Sequence, residues 1–141
     1  MKQFITIDQL NELTENQKNK LCQWSWIPEV GDKIAGYWLD ENDNMTLQDF
    51  GFIKRITDNG LIDNGWSIYW LTNNILPLLS IGQCISVLTI WCMYRSWRFL
   101  GIDLSNIFII KLQKTNGEIV DIIGHTEIID TLWEAIKIAL I

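Results

Sequence analysis

The run Ile75-Leu76-Pro77-Leu78-Leu79-Ser80-Ile81-Gly82-Gln83-Cys84-Ile85-Ser86-Val87-Leu88-Thr89-Ile90-Trp91-Cys92-Met93-Tyr94 decides the fold class, because it has two incompatible readings. It closes a longer stretch, Asn64 to Tyr94, that carries no charged side chain. About 20 apolar residues suffice to cross a bilayer, and Arg95 and Arg98 would then serve as cytoplasmic flanking charges. The competing reading is a helix buried in a soluble domain. Ser80 with Gln83 three residues on forms a capping box, which starts a helix inside the window. Only about 15 residues then remain before Arg95, short for a span and ordinary for a core helix. The buried helix is therefore the reading adopted, and no membrane partner is expected.

Working toward the N-terminus, Thr6-Ile7-Asp8-Gln9 and Thr14-Glu15-Asn16-Gln17 repeat the same capping signature. With Leu10, Leu13, Leu21 and Trp24 as the apolar stripe, they predict a short helix, a bend at Thr14, and a second helix to about Trp26. Pro28 ends it, and Pro28 to Asp32 is a turn. Strands are expected over Lys33–Leu39, Phe50–Thr57 and Trp66–Leu71, with a polar loop at Asp40–Asn44. Asp58-Asn59-Gly60 and Asp63-Asn64-Gly65 are turn signals, so these strands form an antiparallel meander. Beyond the central helix, Leu104–Leu112 and Glu118–Ile123 flank Thr115-Asn116-Gly117 as a hairpin. Thr126 is the candidate cap of a last helix bearing Ile129, Leu132, Trp133, Ile136 and Leu140 on one face. The expected order is ααβββαββα: one α+β domain over residues 1–141, with an antiparallel sheet of about five strands and N-terminal, central and C-terminal helices.

Composition narrows the functional classes. The 141 residues are 48% hydrophobic, include eight tryptophans, and carry a net charge of −6. Such length and apolarity close a core without a disulfide or structural metal. The acidic balance disfavours non-specific binding to nucleic acid, where charge neutralisation dominates. Cys22, Cys84 and Cys92 leave an odd thiol and no CxxC pair, which points to a reducing cytosol. No basic-then-apolar leader opens the sequence. Charge is unevenly spread: residues 1–63 net −5, residues 64–114 net +3, and residues 115–141 net −4. The positive middle is where an anionic ligand would be electrostatically welcome.

Catalytic signatures are sparse. His125 is the sole histidine, no Cys or carboxylate cluster has metal-ligand spacing, and Gly-rich phosphate loops and a GxSxG elbow are absent. A Cys–His nucleophile pair is the only formal option, and His125 beside Thr126 reads more simply as packing or capping a helix entrance. Asp40, Glu41 and Asp43 crowd a turn that lacks the ligand pattern of a calcium loop. No enzyme activity, cofactor or metal is expected. The most unusual run is Trp91-Cys92-Met93-Tyr94-Arg95-Ser96-Trp97-Arg98-Phe99. Aromatic planes stack on bases, and guanidiniums pair with phosphate or carboxylate. On a continued helix Arg95 and Arg98 would share a face as a cationic clamp; on a strand Arg95, Trp97 and Phe99 would point together. The plainer reading puts Trp91, Trp97 and Phe99 in the core, with the arginines balancing nearby carboxylates. The candidate ligand-binding set is Tyr94, Arg95, Trp97 and Arg98, joined by Trp66, Trp70, Lys54 and Arg55 from the sheet. Eight tryptophans cannot all be buried in so small a chain without crowding, so some line an interface or pocket.

Three runs carry a resemblance. Ile5-Thr6-Ile7-Asp8-Gln9-Leu10-Asn11-Glu12-Leu13 with Trp24 and Pro28-Glu29-Val30-Gly31-Asp32 is the first, and Leu76-Pro77-Leu78-Leu79-Ser80-Ile81-Gly82-Gln83 is the most specific. Leu132-Trp133-Glu134-Ala135-Ile136-Lys137 is the third. Together they resemble a family of small proteins carried by phages and prophages of Firmicutes, clostridial ones especially. The sequence departs from that family after Gln83, where Ser86-Val87-Leu88-Thr89-Ile90-Trp91 replaces a more polar, acid-containing helix. That makes the extra apolar face a candidate contact. The resemblance implies a phage origin and the cytoplasm of an infected host, and brings no catalytic residues with it. By analogy, the expected function is a non-catalytic inhibitor of a bacterial defence system. It would act by occluding a host defence protein or by sequestering a nucleotide second messenger in a homo-oligomer pocket. The alternative is a phage accessory or assembly protein working through protein–protein contacts alone.

Overall fold

The computed structural model describes residues 2–24, 26–70, 75–103, 108–124 and 127–141, with positions 23, 24 and 70 described through their backbone. The chain is α+β and divides into two compact units, Thr6–Leu79 and Ser80–Ile141 with Met1–Ile5.

In the Thr6–Leu79 unit both expected capping boxes form. Thr6 and Gln9 exchange side-chain and backbone hydrogen bonds at the start of α1 (Ile7–Asn11). Thr14 and Gln17 do the same ahead of α2 (Glu15–Trp24), at 2.8 and 3.2 Å. Each pair satisfies two amides that a helix start leaves open. The turn after α2 is organised by Asp32, whose carboxylate accepts from the Trp26 indole (3.0 Å) and the Glu29 amide (2.9 Å).

Six short strands follow: β1 (Lys33–Leu39), β2 (Met45–Phe52), β3 (Arg55–Ile56), β4 (Leu61–Asp63), β5 (Ile68–Trp70) and β6 (Ile75–Pro77). They form two antiparallel three-stranded sheets, ordered β2-β1-β6 and β3-β4-β5. The expected Phe50–Thr57 strand is thus two strands in two sheets. The switch occurs at Ile53, whose backbone bonds to Gly31 and Asp32, before the Lys54 amide turns to Asp63. Gly51, at φ +75°, and a register shift at Ile34/Ala35 bend β2 just ahead of it. Pro77 sits on an edge strand, where its missing N–H costs nothing. Trp26, Ile34, Ile53, Ile62 and Ile75 form the buried cluster, with Phe50, Ile56 and Tyr69 against it. Phe50 lies over Gly36, where a Cβ would collide with its ring, and stacks on Tyr69 at 4.8 Å.

In the Ser80–Ile141 unit, Ser80 and Gln83 form the capping box that starts α3 (Ile81–Tyr94). Antiparallel β7 (Arg98–Asp103), β8 (Ile109–Gln113) and β9 (Ile119–Ile123) are followed by α4 (Ile128–Ala139). The hairpin about Thr115-Asn116-Gly117 forms as expected, in register Gln113↔Ile119. The expected start of its first strand, 104–107, and the cap Thr126 lie outside the described residues. The two helices pack on each other, α3 also meeting β7 and α4 meeting β8 and β9. The core here is Cys84, Val87, Leu88 and Trp91 from α3, Leu132, Trp133 and Ile136 from α4, and Ile110, Leu112 and Ile122 from the sheet. Phe4 bridges to Ser80, and Lys2 pairs with Asp130, fastening the N-terminal segment to this unit.

Among the described residues, the single five-stranded sheet expected from the sequence is therefore replaced by three sheets of three strands. Strands β4, β6 and β7 were hidden, being short or lying within turn, apolar and helical signals. Among the described residues, no helix is long and apolar enough to cross a membrane.

Candidate functional site

The aromatic and basic run lies where α3 hands over to β7, and backbone chemistry separates its two arginines. The helix ends at Tyr94, with Arg95 as its C-cap. Ser96 takes a left-handed conformation (φ 57°), its amide reaching the Met93 carbonyl at 3.0 Å, while the Trp97 amide reaches Cys92 at 2.6 Å. These two bonds close a Schellman motif with serine where glycine is usual. Arg98 already belongs to β7, so the i,i+3 helical clamp expected for Arg95 and Arg98 does not form.

Arg95 turns inward. Its Nη1 donates to the carbonyls of Ile138 (3.1 Å) and Ala139 (3.4 Å), at the carboxyl end of α4. A cation there satisfies orphan carbonyls and complements the helix dipole. Its guanidinium also lies 4.5 Å from the Trp97 ring centre, while Lys114 Nζ stands 5.8 Å from the same ring. Arg95 and half-buried Trp97 are thus committed to structure, though Arg95 meets backbone carbonyls rather than the carboxylates, and Trp97 lies outside the core in which the plainer sequence reading placed it. Tyr94 is exposed and tilts against Trp91 at 5.5 Å.

Arg98 turns the other way. It is exposed and makes no ion pair among the described residues. With Ser96, Gln113, Lys114, Thr115 and Gly117 it lines a polar cleft of about 340 Å³. The β7–β8 register sets Arg98 opposite Gln113, which brings the guanidinium to the turn that carries Lys114. Lys114 Nζ pairs with the Glu118 carboxylate at 3.6 Å. The Thr115 hydroxyl donates to the Ser96 and Arg95 carbonyls at 3.3 and 3.4 Å, tying the turn to the α3–β7 junction. The lining holds two cations, two hydroxyls and an amide, and no carboxylate. That chemistry suits a phosphate or a carboxylate. Sequence reading missed Gln113, Lys114 and Thr115, because strand register brings them to Arg98, and it passed over Ser96 within the run it had singled out.

The other four candidates gather in the Thr6–Leu79 unit, around the β3–β4–β5 meander. Arg55 is exposed and pairs with Asp63, its register partner, at 3.5 Å. Lys54 is exposed, its aliphatic stem near Gly65 in the turn that also carries Trp66. Trp66 is 92% exposed, and Trp70 sits opposite Leu61 in the sheet. The eight candidates thus form two groups of four, one in each unit. The tryptophans divide as expected: Trp26, Trp91 and Trp133 are buried, while Trp38 and Trp66 stand in solvent.

The thiols are structural in character. Burial pushes Cys84 and Cys22 up to about 12, and Cys92 up to about 11 despite the nearby Arg95 charge. Buried neutral thiols are poor nucleophiles. His125 lies outside the described residues. The Asp40 carboxylate accepts from the Asn42 and Asn44 amides at 2.8 and 2.9 Å, which makes the acidic loop a solvated turn. Among the described residues, no group of three His, Cys, Asp or Glu side chains is placed to hold a metal ion. No protein-family model, characterised protein or solved structure matches the chain.

Proposed function

We propose that this chain is a phage-encoded, non-catalytic binding protein that interferes with a bacterial defence system in the host cytoplasm. It holds an anionic group of its target in the Arg98–Lys114 cleft. The observation that carries this reading is the exposed guanidinium of Arg98, which makes no ion pair among the described residues, beside Lys114 in a lining without a carboxylate, on a chain of net charge −6. A cation left open on an acidic protein attracts anions at one place and repels them elsewhere.

A carboxylate of a defence protein fits this cleft best. No aromatic or apolar side chain lines it, and a nucleobase needs such a wall. One observation favours a nucleotide instead: Lys114, on the cleft wall, also stands over the Trp97 ring, so a phosphate at Lys114 would bring its base toward an indole. Challenge of strains carrying different defence systems tests the function. The wild-type gene restores phage growth against one system, and Arg98→Ala abolishes the rescue. Growth unchanged in every strain overturns the proposal. Thermal stabilisation by a panel of cyclic and ADP-ribose-type nucleotides, lost in Arg98→Ala, would assign the cleft to a nucleotide rather than a protein.

A further inference from the structure

The dipeptide Asn-Gly occurs three times, at Asn59-Gly60, Asn64-Gly65 and Asn116-Gly117. It is the least hindered setting for an attack of the backbone on a side chain, because glycine places no Cβ beside its own amide nitrogen. A solvent base takes the glycine amide proton, and the nitrogen's electron pair bonds to the asparagine Cγ. The Cγ–Nδ2 bond breaks, and ammonia leaves with a proton, closing a succinimide. Water then opens the ring at either carbonyl, giving aspartate or isoaspartate. Both products exchange a neutral carboxamide for a carboxylate, with water as the sole co-reactant.

The three sites differ in how firmly the reacting groups are held. Asn64 is 5% exposed, and its carboxamide is fully engaged. Its Nδ2 donates to the Phe50 carbonyl at 2.8 Å, and its Oδ1 accepts from the Trp66 and Ser67 amides, both at 2.9 Å. The Gly65 amide is tied as well, donating to the Asp63 carboxylate at 2.8 Å. Asn59 is the opposite case: it is exposed and makes no side-chain hydrogen bond among the described residues. Only the bond from the Gly60 amide to the Thr57 carbonyl, 2.9 Å, restrains that pair. Asn116 stands between them. It is exposed, its Oδ1 accepts from the Glu118 amide at 2.9 Å, and the Gly117 amide donates to the Lys114 carbonyl at 3.0 Å. Both bonds lie on a surface turn, where local opening releases them without unfolding the hairpin.

We propose that Asn116 is a site of spontaneous deamidation, and that its conversion sets a carboxylate beside the cations of the Arg98–Lys114 cleft. The turn that holds Asn116 also holds Lys114, Thr115 and Gly117 of the cleft wall. Lys114 already pairs with Glu118 there, and a second carboxylate on the same turn competes with any outside anion for that cation. Isoaspartate acts further, since it adds a methylene to the backbone between Lys114 and Glu118, whose 2.8 Å amide–carbonyl bond closes the hairpin. The loss of anion binding rests on the reading of the cleft as an anion site; the modification itself does not.

Ageing the protein in mildly alkaline buffer, with peptide mass mapping over time, tests the site. Asn59 converts first and Asn116 second, while Asn64 keeps its amide; in urea the three rates converge. Citrate, a tricarboxylate probe, tests the consequence. The aged protein binds it roughly twofold to fivefold more weakly, the scale of one exposed charge. Asn116→Asp reproduces that loss in fresh protein, and aged Asn116→Gln keeps the fresh affinity, which separates Asn116 from Asn59. An intact Asn116 where Asn59 has converted, or Asn64 converting as fast as Asn116 in the folded chain, overturns the proposal. So does citrate affinity unchanged by conversion of Asn116. Fresh protein that ignores citrate overturns the cleft reading instead, and the mass map still decides Asn116.

Discussion

Helices α3 and α4 of the Ser80–Ile141 unit bury similar apolar faces and differ in what they turn outward. In α4, Asp130 pairs with Lys2, and Glu134 pairs with Lys137 at 2.8 Å. That is an ordinary solvated face, with intrahelical pairs worth a few tenths of a kcal/mol. In α3 the corresponding positions are Gly82, Ser86, Thr89, Ile90 and Met93, with hydroxyls folded back on the helix. The inner faces report the shared core, and the outer faces report what each helix meets. Water suffices for α4. The outer face of α3 meets water without a charged side chain along its 14 residues.

The comparison can be broken most decisively at the core. Trp133 is fully buried on α4, and Trp133→Ala should cost about 3–5 kcal/mol, read from urea unfolding. Its indole N–H has no partner among the described residues, so Trp133→Phe should cost far less than the alanine change. A large loss in Trp133→Phe would mean that the N–H is bonded after all. The junction of the helices comes next. Arg95→Ala removes the donor to the Ile138 and Ala139 carbonyls and should lose about 1–3 kcal/mol. Arg98→Ala, two turns of logic away from that role, should stay within about 0.5 kcal/mol of wild type. Equal losses at the two arginines would erase the distinction between structural and binding cation. Smallest is the cap: Ser80→Ala should lower stability by about 1 kcal/mol, and no change would show that α3 is held by packing alone.

Much of the fold was legible locally. Three capping boxes, at Thr6, Thr14 and Ser80, set three helix starts, because Ser/Thr and Gln three residues apart satisfy each other's amides wherever they occur. The β1 strand and the Asn116-Gly117 hairpin were equally readable. The Phe50–Thr57 strand was not, since nothing local in the sequence marks the point at Ile53 where one extended run changes sheets. The candidate site was half legible. Its charge and its address near Arg98 follow from the sequence, whereas Lys114, Gln113 and Thr115 are some fifteen or more positions away and arrive through β7–β8 pairing.

By itself, the sequence determined where the three capping-box helices begin, where turns fall, and that positive charge lies in a middle segment between acidic ends. These are properties of neighbouring residues, set by amide satisfaction, backbone preference and charge count. Tertiary structure alone decided that the strands form three small sheets. It also decided that Arg95 is spent on the end of α4 while Arg98 stays open, and that Gly82 has space above it. Each of these depends on register and packing between residues far apart in the chain, and such pairings are chosen by the whole set of buried contacts at once.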